Sequence, residues 1–366
     1  MFSEVAYKNA DACRFCWMCR HLCPVSLKTG KEINSARARG LLVSMVKRGS
    51  EYDATMAENM WECVLCGACS NDCASGFEPR TFIREGRSIA LAEGLAPKNV
   101  AALASTVLET GNIYGAKDLR ENLKDELAGL PETAPVLLYI GEVASVETPE
   151  IAKAAIRLLK KAGVSFTVLK DEPVSGAYMG DLMGFVDEVR RQAVKLTAAI
   201  DASGAETVVV LDAMDARIMK HEYAEWNCAP KAEVLTATSY FAQLAAEGKL
   251  SIRKQSGVVS LHDAGALSRD LAETEPARAL LSAMGYENSE MFRNRDLAKA
   301  SGGALLKRYD ARLAKMLASG RWEDLTRLGL SHMVTEAPGS FAALSLAIPA
   351  GCELSDLLVL LDKAVD

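Results

Sequence analysis

Residues 13–24 read CRFCWMCRHLCP and residues 63–74 read CVLCGACSNDCA. Both rows space their cysteines as C-x2-C-x2-C-x3-C, and together they hold eight of the chain's 10 cysteines. A disulfide framework belongs to small secreted domains, and a structural zinc site pairs two separated C-x2-4-C units around four ligands. Neither explains a third closely spaced cysteine in each row. Three thiolates on one tight loop fit three irons of a 4Fe-4S cube, while the fourth cysteine of the row reaches the cube held by the other row. The spacing therefore predicts two 4Fe-4S clusters with exchanged ligands. Cys13, Cys16, Cys19 and Cys73 are expected on one, and Cys63, Cys66, Cys69 and Cys23 on the other. Pro24 turns the chain away after the fourth ligand of the first row, where the second row has Ala74.

Gly67 lets the backbone of the second row pass close to inorganic sulfide. Phe15, Trp17, Met18, Val64 and Leu65 supply dry surroundings of the kind that tune a cluster potential. His21 reads as an exposed or supporting residue and not as a ligand. Between the rows, Leu41, Leu42, Met45 and Val46 recur at helical spacing after Asn34 or Ser35, either of which can cap the helix. Its basic residues Arg37, Arg39, Lys47 and Arg48 read as a solvated face, with an acidic electron-transfer partner as the alternative.

A chain of 366 residues, 49% hydrophobic and 25% charged, is expected to form two or three globular domains. The net charge is -6, and residues 1–98 carry 13 basic against 11 acidic side chains, so nucleic acid and anionic membrane are not expected as main partners. No apolar run reaches the roughly 18 residues of a membrane span. The opening MFSEVAYKNADAC lacks the order of a secretory signal, so a cytoplasmic location is expected.

The second cysteine row closes a module spanning residues 1–98, and a charged helical linker over 99–135 ends at Pro131 and Pro135. VLLYIG (136–141) then reads as a buried strand, TPEIAKAAIRLLKKAG (148–163) as a helix and SFTVL (165–169) as a second strand. That is a βαβ unit with a parallel sheet. A long helix over roughly 181–202 and a third strand in TVVVLDA (207–213) follow. The order begins again with VVSLHDAG (258–265), PARALLSAMG (276–285) and SHMVTEAPGSFAALS (331–345). The expected fold class is mixed α+β and α/β: a helical two-cluster ferredoxin module followed by a duplicated α/β domain, its halves at 136–256 and 257–366. No glycine-rich phosphate loop, dinucleotide fingerprint or nucleophile elbow occurs. Asp212, Asp215 and Asp263 fall at strand ends, where they read as helix caps ahead of catalytic groups.

The two rows, the Arg39-Gly40 pair between them and the sequel GFEPRTFIREGR resemble the iron-sulfur subunits of the heterodisulfide reductase C and D, anaerobic glycerol-3-phosphate dehydrogenase and glycolate oxidase group. The resemblance runs the length of the chain. It implies a ferredoxin module followed by a duplicated domain whose loops carry Cys-Cys-Gly motifs that bind further clusters. Here the framework persists without the cysteines. Glu142, Val174-Ser175 before Gly176, the loop VVVLDAMDARIMKHEY, Gly265 in LHDAGALSRD, KASGG (299–303) and TEAPGSF (335–341) stand where the family has ligand loops. Cys228 and Cys352 fall outside all of them and read as small apolar residues.

The expected function is thus an electron-transfer subunit of an oxidoreductase complex. It relays single electrons through two 4Fe-4S clusters between a flavin-containing oxidoreductase subunit and a further electron-transfer protein, and any contact with a membrane runs through those partners. The alternative keeps catalysis in the chain, with the vacated cleft taking a flavin, thiol or disulfide. A third reading makes the clusters staples only.

Overall fold

The computed structural model describes residues 1–366. In the N-terminal module, helices start where short polar side chains can accept from orphan N–H groups: Ser3 from Ala6, Ser35 from Ala38 and Asp53 from Met56. Ser35, not Asn34, caps the helix Ala36–Lys47 between the rows. Its buried face is Ala36, Arg39, Gly40 and Val43, whereas Leu41 and Met45 lie exposed, contrary to the apolar face expected from their spacing. The cause is Gly40, whose missing side chain lets the Phe77 ring stand 3.0 Å from where a Cβ would sit. Arg39 is likewise no solvated charge: it is 1% exposed and donates to the carbonyls of Asn34 and Asn59 at 2.6 and 3.0 Å.

Eight strands follow, in two four-stranded parallel sheets. The first holds β1 (Val136–Tyr139), β2 (Phe166–Thr167), β3 (Thr207–Val210) and β4 (Glu233–Thr236) in the order β2-β1-β3-β4. The second holds β5 (Val258–His262), β6 (Glu287–Asn288), β7 (His332–Thr335) and β8 (Glu353–Asp356) in the order β6-β5-β7-β8. Each half repeats one topology, with its first strand inside and its second at the edge. Leu137 is level with Val208 in the first sheet, and Leu261 with Val334 in the second.

Successive strand side chains face opposite sides, and in β1 and β3 both sides are apolar. Leu137, Tyr139, Val208 and Val210 enter a core shared with Trp61 and Val25 of the N-terminal module, while Leu138, Ile140 and Val209 enter a second core shared with Val259, Leu261 and Val334 of the other half. The halves meet reciprocally: helix Pro149–Lys161, after β1, packs on Leu357–Ala364, after β8, and helix Ala237–Ala246, after β4, packs on Pro276–Met284, after β5. Arg157 Nε to Asp362 at 2.7 Å ties the first pair.

Two sequence expectations change here. The segment expected as one helix over 181–202 is two, Ala177–Met183 and Asp187–Ser203. The break is at Gly184 (φ 83°), where a Cβ would stand 2.5 Å from the Arg84 carbonyl of the N-terminal module. The strand expected over 165–169 shrinks to Phe166–Thr167 at the sheet edge. No helix is long and apolar enough to cross a membrane.

Candidate metal centres and the adjoining cleft

The two cysteine rows fold alike. Phe15 and Leu65, each two residues after the first cysteine, hold φ 56° and 49°, and Trp17 and Gly67, each following the second, hold φ 70° and 73°. Three of these four are not glycine, and each pays roughly 1–2 kcal/mol for a left-handed backbone. Such strain persists where the surroundings dictate the loop's path, and it concentrates at functional sites. The paths curl N–H groups inward: Phe15 N lies 3.4 Å from Cys13 Sγ and Leu65 N 3.3 Å from Cys63 Sγ.

One cavity is lined by Cys13, Cys16, Cys19 and Cys73, walled by Trp17, Met18 and Phe77. A second is lined by Cys63, Cys66, Cys69 and Cys23, walled by Val64, Leu65 and Ile83. The fourth cysteine of each row thus joins the first three of the other. Cys69 borders both cavities, so the two lie side by side. The first is near the surface, with Cys16 exposed; the second is interior.

The electrostatics fit a group that supplies positive charge. Burial raises the pKa of Cys19, and the thiolates of Cys13, Cys16 and Cys73 push it further. Burial likewise drives Cys23 up to about 11, with Cys66 and Cys63 adding to it, and Cys69 well above its ordinary value. Thiols gathered in apolar cavities stay protonated unless a metal offsets their charge. Cys73 is the exception: burial opposes ionisation, but the Ser75 hydroxyl and the N–H groups of Ser75, Gly76 and Phe77 bring its pKa below the ordinary value. Nowhere do three or more His, Cys, Asp or Glu side chains gather as ligands of one ion. The thiols surround volumes, which is what a polynuclear cluster requires.

Beside the interior cavity opens a cleft of about 870 Å³, bordered by Cys63 and Cys66 on one side and by the C-terminal ends of β3, β5 and β7 on the other. Asp212, His262, Gly265, the 300–303 loop and Gly339 reach it. The places of absent side chains are filled. At Gly265 a Cβ would collide with the Arg269 guanidinium, at Gly141 with Asp215, and at Gly339 it would stand 2.7 Å from the Tyr178 hydroxyl. Glu142 is buried away from the cleft's thiol side, and its Oε2 accepts from Ile113 N–H at 2.7 Å. Ser175 donates to Asp215, and Asp212 accepts from Met214 N–H at 2.8 Å and from the Tyr178 hydroxyl at 3.0 Å. Asp263 takes a two-pronged bond from Arg278 at 2.7 and 3.1 Å. His262 accepts at Nδ1 from Arg321 Nε at 3.1 Å, and burial followed by that cation hold its pKa well below the ordinary value. The strand-end aspartates are therefore anchored in the architecture. Cys228 and Cys352 border neither cavity nor cleft.

What sequence reading missed is a set of arginines. Arg87 is 1% exposed and donates to the carbonyls of Met60, Cys63 and Asp181, binding the second row to the first α/β half. Arg269 Nε donates to the Cys66 carbonyl at 2.9 Å from the second half. Arg80, Arg84 and Arg87 recur at i, i+4 and i+7, one face of a helix, and that spacing was the available signal.

Residues 9–77 match the family model described as a 4Fe-4S dicluster domain. Among curated proteins, a probable membrane-anchored ferredoxin of Chromohalobacter salexigens is 26% identical over 80% of this chain and 50% of its own length. The EtfAB:quinone oxidoreductase of Syntrophomonas wolfei is 26% identical over 80% of this chain and 48% of its own. The chain thus spans about half the length of these two relatives. The D component of the dihydromethanophenazine:CoB--CoM heterodisulfide reductase of Methanosarcina acetivorans is 24% identical over 99% of this chain and 96% of its own length. A crystal structure of a hypothetical protein from Helicobacter pylori covers 89% of this chain and 67% of that one at a TM-score of 0.56 and 12% identity, a likeness of fold. With the dicluster domain over both cysteine rows and the likeness to the Methanosarcina reductase component running nearly end to end, the chain is an iron-sulfur protein of the heterodisulfide reductase D-like kind.

Proposed function

We propose that this chain is an electron-transfer subunit, in which Cys13, Cys16, Cys19 and Cys73 hold one 4Fe-4S cluster and Cys63, Cys66, Cys69 and Cys23 a second. The observation that carries the reading is the pair of adjoining cavities, each lined by one of these sets of four. When bound, such clusters accept and release single electrons at potentials set by their surroundings. Trp17, Met18 and Phe15, exposed at 43%, 54% and 48%, form an apolar rim where a redox partner can approach the outer site. Arg37 stacks on Trp17 at 3.7 Å and holds that rim. The inner set is insulated by Val64, Leu65 and Ile83 and fixed by Arg87 and Arg269 through the Cys63 and Cys66 carbonyls.

The partner that fits is a flavoprotein, because a flavin divides a two-electron oxidation into single electrons; a further electron-transfer protein takes the other end. The names of the relatives, a ferredoxin and two oxidoreductases, support this reading. Iron and acid-labile sulfide after anaerobic purification, with electron paramagnetic resonance of the dithionite-reduced chain, test it. About eight of each and two interacting signals are expected. Four or fewer irons would reject the two-cluster assignment, and clusters that no physiological donor reduces would leave them as staples.

A further inference from the structure

The cleft beside Cys63 and Cys66 holds hydrogen-bond donors that the chain leaves unused. Arg217 is 5% exposed and gives Nη1 to Glu222 at 2.9 Å, while its Nε and Nη2 are buried without a hydrogen-bond partner. Asp181 Oδ1 stands 3.7 Å from Nη2, beyond hydrogen-bond reach, and is taken by Arg84 at 2.9 Å. Arg269 gives Nε to the Cys66 carbonyl and Nη1 to the carbonyls of Asp296 and Ala298, and its Nη2 is also buried and unpartnered. Both arginines line the cleft. A buried donor left unmet costs about 1–3 kcal/mol, and more when charged, so three on two neighbouring guanidiniums call for an acceptor from outside the chain.

The shape of the vacancy identifies the acceptor. Nε and Nη2 form the side edge of a guanidinium, whose two parallel N–H groups match the two oxygens of a planar carboxylate. Arg87, Arg217 and Arg269 face Asp181, Asp212 and Asp270 in the cleft, and burial raises the pKa of Asp212 toward its neutral form. The cleft therefore suits one negative charge better than the two of a phosphate monoester. The remaining walls are apolar, with Val64, Leu65, Met214 and Leu305 among them, and about 870 Å³ lies within the range of small-molecule sites, roughly 300–1,000 Å³.

We propose that this cleft binds an organic carboxylate, its two oxygens on the Nε–Nη2 edge of Arg217 with Arg269 Nη2 as a further donor, and its hydrocarbon body along Val64, Leu65, Met214 and Leu305. The inference concerns binding and holds independently of the relay reading. Arg269 links the two: the same side chain that faces the ligand holds the Cys66 carbonyl, so a bound anion alters the field at the inner cysteine set.

The test is calorimetric titration of the anaerobically purified full chain with hexanoate and trans-cinnamate, and with their amides as neutral isosteres. At least one carboxylate should saturate a single site, with its amide weaker by about tenfold or more, as loss of a charged hydrogen-bond pair requires. Arg217→Lys, which keeps the charge and removes the planar edge, should weaken the carboxylate by a similar factor while iron content and circular dichroism stay unchanged. Arg269→Gln gives a second reading should the Arg217 variant fail to fold, and should weaken binding in the same direction. No binding of either carboxylate at about 10 mM, equal binding of acid and amide, or carboxylate binding untouched by both variants would overturn the proposal. So would inorganic phosphate binding more tightly than either carboxylate. Loss of iron without loss of binding would count against the relay alone.

Discussion

Trp17 and Gly67 hold one backbone conformation at the same place in their rows, φ 70° and ψ -5° against φ 73° and ψ -4°. The loop geometry is thus common to both rows, and the residue filling it differs. Glycine adopts this region freely, whereas tryptophan there carries about 1 kcal/mol of strain, compensated by its stack on Arg37 at 3.7 Å.

Exchanging side chains at these two positions should therefore have unequal effects. Gly67→Ala places a methyl at positive φ and 2.9 Å from Arg80 Nη1, and about 1–3 kcal/mol of destabilisation is expected. Trp17→Gly relieves strain and loses the stack, so its stability should change by less than about 1 kcal/mol. It also uncovers the cavity of Cys16 and should speed loss of the visible chromophore in air. Thermal denaturation and bleaching rates of both variants decide this; equal thermal losses would mean that the shared backbone geometry does not control loop stability.

Cysteine substitutions separate ligands from bystanders. Cys66→Ser and Cys13→Ser should each lower iron from about eight to about four per chain, and each should remove a different resonance signal. Cys228→Ser and Cys352→Ser should leave iron unchanged. Retention of full iron in Cys23→Ser or Cys73→Ser would refute the exchange of fourth ligands between rows.

How much of this was legible beforehand depended on whether the signal was local. β1, β3, β5 and β7 were visible because central parallel strands read as apolar runs, as VLLY and TVVV do. β4 and β8 were not: EVLT and ELSD sit at sheet edges, partly exposed, and resemble loop sequence. The cysteine rows declared their own site, since cluster ligands must be close in sequence to wrap one cube. The cleft's arginines did not, because Arg217 and Arg269 look like ordinary charges on short helices until tertiary packing buries them. Leu41 and Met45 misled for the converse reason: Gly40, not their side chains, offered the closest approach to Phe77.

Glu142, where the resemblance expects a cysteine, makes a pH prediction. Burial raises its pKa to about 8 from an ordinary 4.5, Asp212 adds to the rise, and the Ile113 N–H opposes it. A carboxyl raised on folding holds its proton in the folded state over that interval. Its stabilising contribution is complete below about pH 4.5 and is lost as pH rises through about 8. Glu142→Gln is neutral throughout and still accepts from Ile113. Wild type and variant should unfold alike near pH 5, and the variant should be more stable by a few kcal/mol near pH 9. Because Asp356 and the other buried carboxyls titrate in both proteins, their effects cancel in the difference. A variant that loses stability as pH rises faster than wild type would contradict the assignment.

Arg87 provides the most direct test of whether the inner cysteine set depends on the α/β domain. Its guanidinium joins the Met60 carbonyl, at 3.1 and 2.9 Å, and the Cys63 carbonyl to the Asp181 carbonyl of helix Ala177–Met183. Arg87→Met retains the bulk and strands three buried carbonyls, so about 3–5 kcal/mol should be lost in urea denaturation. Arg87→Lys keeps the charge but reaches fewer of these acceptors, and it should lose less. Both should loosen the Cys63–Cys69 loop while leaving Cys13, Cys16 and Cys19 undisturbed, because Arg87 touches only the second row. Resonance spectra should therefore show one signal broadened or missing and the other unchanged. Loss of both signals together would mean that the two sites assemble as one unit, and a stability change under about 1 kcal/mol would mean that the packed core around Trp61, not this arginine, joins the module to the domain.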